Sequence, residues 1–105
     1  MKKFKMSKDW SCNGKELRPK NSSSSQDTWV FPGGEIKPKL GATSSDTWVF
    51  NGRELKPKIG FTSSNTWVVD GDVIKPKTGF NSSNTYDISG HSILAVAGSL
   101  VLRLY

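Results

Sequence analysis

Four near-identical basic triplets punctuate the chain: Arg18-Pro19-Lys20, Lys37-Pro38-Lys39, Lys56-Pro57-Lys58 and Lys75-Pro76-Lys77, each nineteen residues from the next. In any regular fold that spacing projects Lys20, Lys37, Lys39, Lys56, Lys58, Lys75 and Lys77 from equivalent sites. Ammonium groups repeated in this way form a ring or stripe able to meet phosphates or an acidic surface. Glu16, Glu35 and Glu54 stand nearby in the same phase, and Asp27 and Asp46 lie just ahead of the following Thr. Charges of both signs therefore sit together, and the lysines serve equally well to solvate and protect strand ends. A second column, Ser-Ser-Asn/Asp-Thr, brings Asn65 and Asn84 to equivalent positions. Such loops can line polar pockets for a glycan, and the same composition is that of Asx and Ser turns.

The aromatic column is the third candidate. Trp10, Trp29, Trp48, Trp67 and Tyr86 recur every nineteen residues and can be stacking platforms for bases or sugars. Burial competes with that role. Taking one Trp out of water removes ~150–250 Å², a gross gain of about 4–6 kcal/mol at ~25 cal/mol per Å². A chain with only 34% hydrophobic residues needs such groups inside. The aromatics are expected in the core with Leu17, Ile36, Leu55, Ile74 and Ile93. The lysine and asparagine columns are what remains for ligands.

Catalysis has little to work with. His91 is the single histidine, and it fills a slot held by Lys15, Gly34, Arg53 and Asp72 in the other copies. Nucleophilic catalysis needs a histidine held by a second group, and nothing in the sequence places Cys12 beside it. Cys12 shares the inward column of Phe31, Phe50 and Val69, where a small core residue fits. One cysteine allows neither an intrachain disulfide nor a cysteine-based zinc cluster. No phosphate loop, HExxH motif or calcium loop is present, so no cofactor, metal or catalytic residue is expected.

The elements that must carry these columns follow from the period. Four residues after each aromatic sits a glycine, Gly14, Gly33, Gly52, Gly71 and Gly90, and three further on an aliphatic residue. A fixed period of this kind decides the architecture. The unit reads as a β-hairpin: Asn13-Gly14, Asn51-Gly52 and Asp70-Gly71 are turn dipeptides of type I′. A two-residue loop pairs Trp48 with Leu55, Val49 with Glu54 and Phe50 with Arg53. Trp48, Phe50 and Leu55 then share one face. Pro32 cannot adopt a positive φ, so Pro32-Gly33 is expected in a type II turn. After each hairpin the proline ends the pairing, and alternate residues of Ile59-Gly60-Phe61 and Leu40-Gly41-Ala42 are expected to face inward again.

The expected fold is a single all-β domain, 1–105, of tandem nineteen-residue hairpins around a central axis. The copies are 9–27, 28–46, 47–65, 66–84 and 85–105, behind a basic segment 1–8. A three-sided β-solenoid is the alternative. The fifth copy keeps Tyr86, Ile88, Gly90 and Ile93, then turns apolar. Ile93–Leu104 reads as a closing strand pairing with Lys2–Met6, and a short helix stays open. The pattern of Trp10/Gly14/Leu17, Trp29/Gly33/Ile36, Trp48/Gly52/Leu55 and Trp67/Gly71/Ile74 resembles that of the small bacterial proteins described as a 4-fold beta flower. That resemblance spans residues 9–95. It implies hairpins gathered about an axis and carries no activity with it.

Charge narrows the partners. The first twenty residues hold seven Lys/Arg against two acids, a net of +5, whereas 21–105 hold eight against seven. The body is nearly balanced, and electrostatic binding to nucleic acid would draw on Lys2, Lys3, Lys5 and Lys8 beside the lysine column. The first expectation is a non-catalytic module recognising a protein or glycan through repeated loops. The second is a structural component of a phage or cell-envelope assembly that self-associates through its C-terminal strand. A basic start with no apolar run behind it predicts a cytoplasmic location, and the apolar run at 93–102 is too short to span a bilayer.

Overall fold

A computed structural model describes residues 1–22 and 24–105, leaving out Ser23 in the NSSSSQ linker. Ten short strands precede one helix: β1 (Lys2–Lys3), β2 (Trp10–Cys12), β3 (Glu16–Pro19), β4 (Trp29–Val30), β5 (Glu35–Pro38), β6 (Trp48–Phe50), β7 (Glu54–Pro57), β8 (Trp67–Asp70), β9 (Val73–Pro76), β10 (Tyr86–Asp87) and α1 (Ile93–Leu100). The strands form one sheet in the order β1-β10-β9-β8-β7-β6-β5-β4-β3-β2. It is open between β1 and β2. From β2 to β10 every neighbour is antiparallel, the geometry of chained hairpins and not of the parallel coils of a solenoid.

The register differs from the two-residue-turn expectation. Trp48 pairs with Pro57, Val49 with Lys56 and Phe50 with Leu55, and Trp10, Trp29 and Trp67 likewise stand opposite Pro19, Pro38 and Pro76. The cause lies in the turn. The Asn51 side-chain oxygen accepts from the backbone N–H of Arg53 at 2.9 Å and of Glu54 at 2.8 Å. Asn51 is thereby the first residue of the turn, its N–H donating to the Glu54 carbonyl at 3.2 Å, so the two central residues are Gly52 and Arg53, one place later than expected, and only Gly52 takes a positive φ. In the second hairpin Gly33 and Gly34 hold the positive-φ positions, and the Pro32 carbonyl accepts from Glu35 N–H at 3.1 Å. Pro32 thus sits one place earlier than the type II turn required. Moving a pairing by two residues preserves the faces, because side chains alternate with period two.

The inner face is built on Leu17, Ile36, Leu55 and Ile74, all 0% exposed. Leu55 lies between Phe50 and Trp67, Leu17 between Cys12 and Trp29, and Ile74 between Val69 and Tyr86. Trp10, Trp29, Trp48, Trp67, Tyr86 and Ile93 are half-buried against this cluster. The Ser-Ser-Asn/Asp segments form short 3-10 turns, Ser25–Asp27, Ser44–Asp46 and Ser63–Asn65. They end on Thr28, Thr47 and Thr66, which are buried. The Thr47 and Thr66 hydroxyls each donate to a carbonyl four residues back at 2.6 Å.

The C-terminus is the main departure. Ile93–Leu100 is a helix, not a closing strand. Ser92 caps it, its hydroxyl accepting from Ala95 N–H at 3.2 Å. Leu94, Ala95, Val96, Ala97 and Gly98 are buried, so α1 covers the inner face of the sheet. A run that is apolar on every side suits a helix enclosed on every side. The edge expected to support self-association through a C-terminal strand is therefore absent. The N-terminal strand finds a different partner: β1 runs parallel to β10, with Lys2 opposite Tyr86 and Lys3 opposite Asp87. Phe4 N–H continues the ladder to the Asp87 carbonyl at 2.8 Å. The Phe4 side chain is buried, edge-on to the His91 ring at 4.8 Å.

Candidate functional site

The strand directions give the sheet two different ends. Tight turns join β2 to β3, β4 to β5, β6 to β7 and β8 to β9 at one end. The longer links from β5 to β6, β7 to β8 and β9 to β10 leave from the other. Because β1 is parallel to β10, Met1 also emerges at the longer-link end. The large apolar side chains that stand exposed are Met1, Leu40, Ile59, Phe61 and Phe80, at 55 to 67%. All five lie at that end. Ile59, Phe61 and Leu40 thus point to solvent, contrary to the inward placement expected of them. No strand pairs with these residues, and Gly60 at φ +71° reverses the chain between Ile59 and Phe61.

These loops are firmly built. Asn65 accepts from Thr62 N–H at 2.7 Å and donates to the Gly60 carbonyl at 3.2 Å. Asn84 does the same one repeat later, accepting from Asn81 N–H at 2.7 Å and donating to the Gly79 carbonyl at 3.1 Å. Asp46 takes the acceptor role toward Thr43 N–H at 2.8 Å. The two asparagines singled out from sequence thus have both ends of their amides engaged in holding the loops. Their column shapes the tips.

The lysine column is braced by carboxylates on the outer face. Glu35 receives Lys58 at 2.8 Å and Lys37 at 3.6 Å, and Glu54 receives Lys77 at 3.0 Å and Lys56 at 3.8 Å. Glu16 receives Lys39 at 3.0 Å and Arg18 at 3.7 Å. Each glutamate thereby ties its own hairpin to the next. The hydrogen bond from Lys58, then its charge and that of Lys37, hold the Glu35 carboxyl below its ordinary value against partial desolvation. The Lys77 hydrogen bond does the same for Glu54. In the fourth hairpin Val73 replaces the glutamate, and among the described residues Lys75 and Lys20 have no ion-pair partner.

Two lysines of the column meet the apolar tips. Lys56 Nζ lies 4.4 Å from the centre of the Phe61 ring, and Lys75 Nζ lies 4.4 Å from that of Phe80. Lys75 and Phe80 line a cleft of about 310 Å³ with Met1, Asn81 and Thr85. A second cleft at this end, about 390 Å³, lies between Trp67, Asn84, Tyr86, Arg103 and Tyr105. Burial, and then the nearby Cys12, push the Tyr105 hydroxyl above its ordinary range. That hydroxyl donates to the Ala95 carbonyl.

At the tight-turn end a third cleft, about 370 Å³, brings Cys12 and His91 to one wall together with Met6 and Ser92. No local pattern signals this proximity, because it depends on Ser92 at the start of α1 returning beside β2. The hydrogen-bond partner of the Cys12 thiol is the Ser92 hydroxyl, at 3.3 Å, and not His91. Among the described residues no three His, Cys, Asp or Glu side chains gather as a metal cage. No helix among them is long and apolar enough to cross a membrane.

Comparison with protein-family models, with curated proteins and with solved structures returned no match for this chain.

Proposed function

We propose that this chain is a non-catalytic binding module: tandem nineteen-residue hairpins arranged like a beta flower around α1, meeting a partner through the loops at one end of the sheet. One observation carries the reading. Four of the five large exposed apolar side chains, Leu40, Ile59, Phe61 and Phe80, stand at that end on loops braced by Asp46, Asn65 and Asn84, and Met1 emerges at the same end. Exposed apolar residues scattered singly are ordinary; these recur at one phase of the repeat and at one end of the sheet, which favours a shared role in contact. Five lysines of the column are in ion pairs, which reduces the positive field a nucleic acid would meet and favours contact through the apolar tips. The pairing of Cys12 with Ser92 supports a module without a catalytic nucleophile. The recurring register of Trp opposite Pro in four hairpins supports the flower-like arrangement.

The test is a variant carrying Leu40→Ser, Ile59→Ser, Phe61→Ser and Phe80→Ser, compared with the wild-type chain on immobilised glycans, heparin and phospholipid, and by light scattering for self-association. Retention of the wild type on one of these surfaces, lost in the variant while its melting temperature is kept, is expected. Indistinguishable behaviour of the two chains throughout would refute the reading.

A further inference from the structure

Building on the loop-end binding reading, we infer that the surface met by these loops is an anionic phospholipid bilayer. Leu40, Ile59, Phe61 and Phe80 would enter its interface, with lysines at headgroup depth. Three features single out lipid among possible partners.

The first is the spacing of the tips. Successive loops are separated by two strands, about 10 Å at the ~4.8 Å strand spacing of a sheet. The apolar groups therefore stand as separate points in a row and not as one continuous patch. A protein partner would need a matching pocket for each point. A fluid acyl interface accepts them independently, to a depth of about 5–10 Å for side chains at the headgroup boundary.

The second is charge. Lys39, Lys58 and Lys77 at the feet of these loops are held by Glu16, Glu35 and Glu54, so the charge left to meet an anionic surface lies on the β9, β10 and β1 side of this end. Lys75 has no ion-pair partner among the described residues, and Lys2 lies beside the Tyr86 ring at 5.9 Å. Arg103 lines the neighbouring cleft at the same end. The cytoplasmic face of a membrane carries a negative surface potential that attracts such groups.

The third is the placement of ammonium groups on the aromatic tips. Lys56 and Lys75 hold Nζ 4.4 Å from the Phe61 and Phe80 ring centres. The lysine stem and the ring form one amphipathic unit: the ring is offered to the apolar layer and the charge stays with the headgroups.

Co-sedimentation of the full chain with vesicles decides the matter, using phosphatidylcholine alone and phosphatidylcholine mixed with phosphatidylserine. Binding is expected to the mixed vesicles at low salt, to weaken as salt rises, and to be at least about tenfold poorer on the neutral ones. The four-tip serine variant should lose binding to the mixed vesicles, and Lys75→Ala should weaken it about fivefold. If the fourfold variant unfolds, Phe61→Ser and Phe80→Ser singly carry the same expectation to a smaller degree. Failure of the wild type to sediment with anionic vesicles at low salt overturns the lipid assignment. So does equal binding by wild type and tip variants, which would mean adsorption by charge alone. Tip-dependent retention on a glycan or heparin surface with no vesicle binding would remove the lipid inference and leave the binding reading. Absence of tip-dependent binding everywhere would remove both.

Discussion

Gly98 poses a contest between helix propensity and packing, and Gly98→Ala resolves it. In an exposed helix the replacement stabilises by about 1 kcal/mol, because glycine loses more backbone freedom on folding. Here a Cβ built at position 98 would lie 2.5 Å from Leu17 Cδ2, 2.9 Å from Tyr105 Oη and 3.2 Å from Tyr105 Cε2. Ordinary carbon contacts are at about 3.5–4.0 Å, so the nearest is short by roughly 1 Å. Leu17 has nowhere to go, being fully buried between Cys12 and Trp29. Tyr105 can withdraw only by giving up its hydrogen bond to the Ala95 carbonyl and its contact with Met6. Overpacking of a filled site costs about 1–3 kcal/mol. With Leu17 immobile the upper part of that range applies, leaving a net loss of about 1–2 kcal/mol after the propensity gain. At about 4–8 °C per kcal/mol for a domain near this size, the melting temperature should fall by roughly 5–15 °C. Thermal melts followed by circular dichroism read this directly. Leu17→Ala supplies the control: it costs about 2–5 kcal/mol alone and should cost less in the Gly98→Ala background, where the new methyl occupies part of the cavity. A melting temperature for Gly98→Ala at or above that of the wild type would show that α1 does not press on β3 in the way described.

Two further outcomes test the loops and the charge ladder. Thr66→Val keeps the shape of a buried residue but removes the hydroxyl that donates to the Thr62 carbonyl at 2.6 Å; urea unfolding should show a loss of about 1 kcal/mol, and no loss would mean the 3-10 turn holds itself. Glu35 and Glu54 have carboxyls lowered from 4.5 by the Lys58 and Lys77 hydrogen bonds. Their contribution to stability is therefore complete above that ordinary value and disappears as pH falls through the lower folded one. Melting temperatures measured from neutral to acid pH should fall less steeply for Glu35→Gln/Glu54→Gln than for the wild type, and the difference should shrink in high salt.

The nineteen-residue period was the most legible part of the chain, and it was enough to pick out the buried aliphatic column of the sheet, though not Phe4, Leu94, Val96 and Ala97, which complete the core, nor the half-burial of the Trp column. Leu17, Ile36, Leu55 and Ile74 could be recognised because hairpin strands alternate and the same column stays apolar in every copy. The turn chemistry was harder to read. Asn51-Gly52 has two outcomes of similar local cost: two positive-φ residues, or an Asx arrangement in which the side chain satisfies two backbone donors. The chain takes the second at Asn51 and shifts the pairing by two residues. Trp48 moves from Leu55 to Pro57 as partner without leaving the inner face, so the core assignment withstands an error in register that would have inverted it had the shift been one residue.

What was not legible depends on contacts made late in the chain. Leu94-Ala95-Val96-Ala97 lacks alternation and lacks a polar face, so its period alone does not separate strand from helix. The structure separates them through space: the inner face of an open sheet needs a cover, and a helix can bury all sides against it. That single placement has a consequence for function. It encloses the face on which the aromatics lie, leaving Trp10, Trp29, Trp48 and Trp67 as packing groups. The apolar residues that follow the Lys-Pro-Lys triplets lie outside that enclosure: Ile59, Phe61 and Phe80 are exposed on loops that no strand pairs with. The exposed hydrophobic groups of this small chain therefore appear at the loop end of the sheet, with Lys56 and Lys75 set against the Phe61 and Phe80 rings.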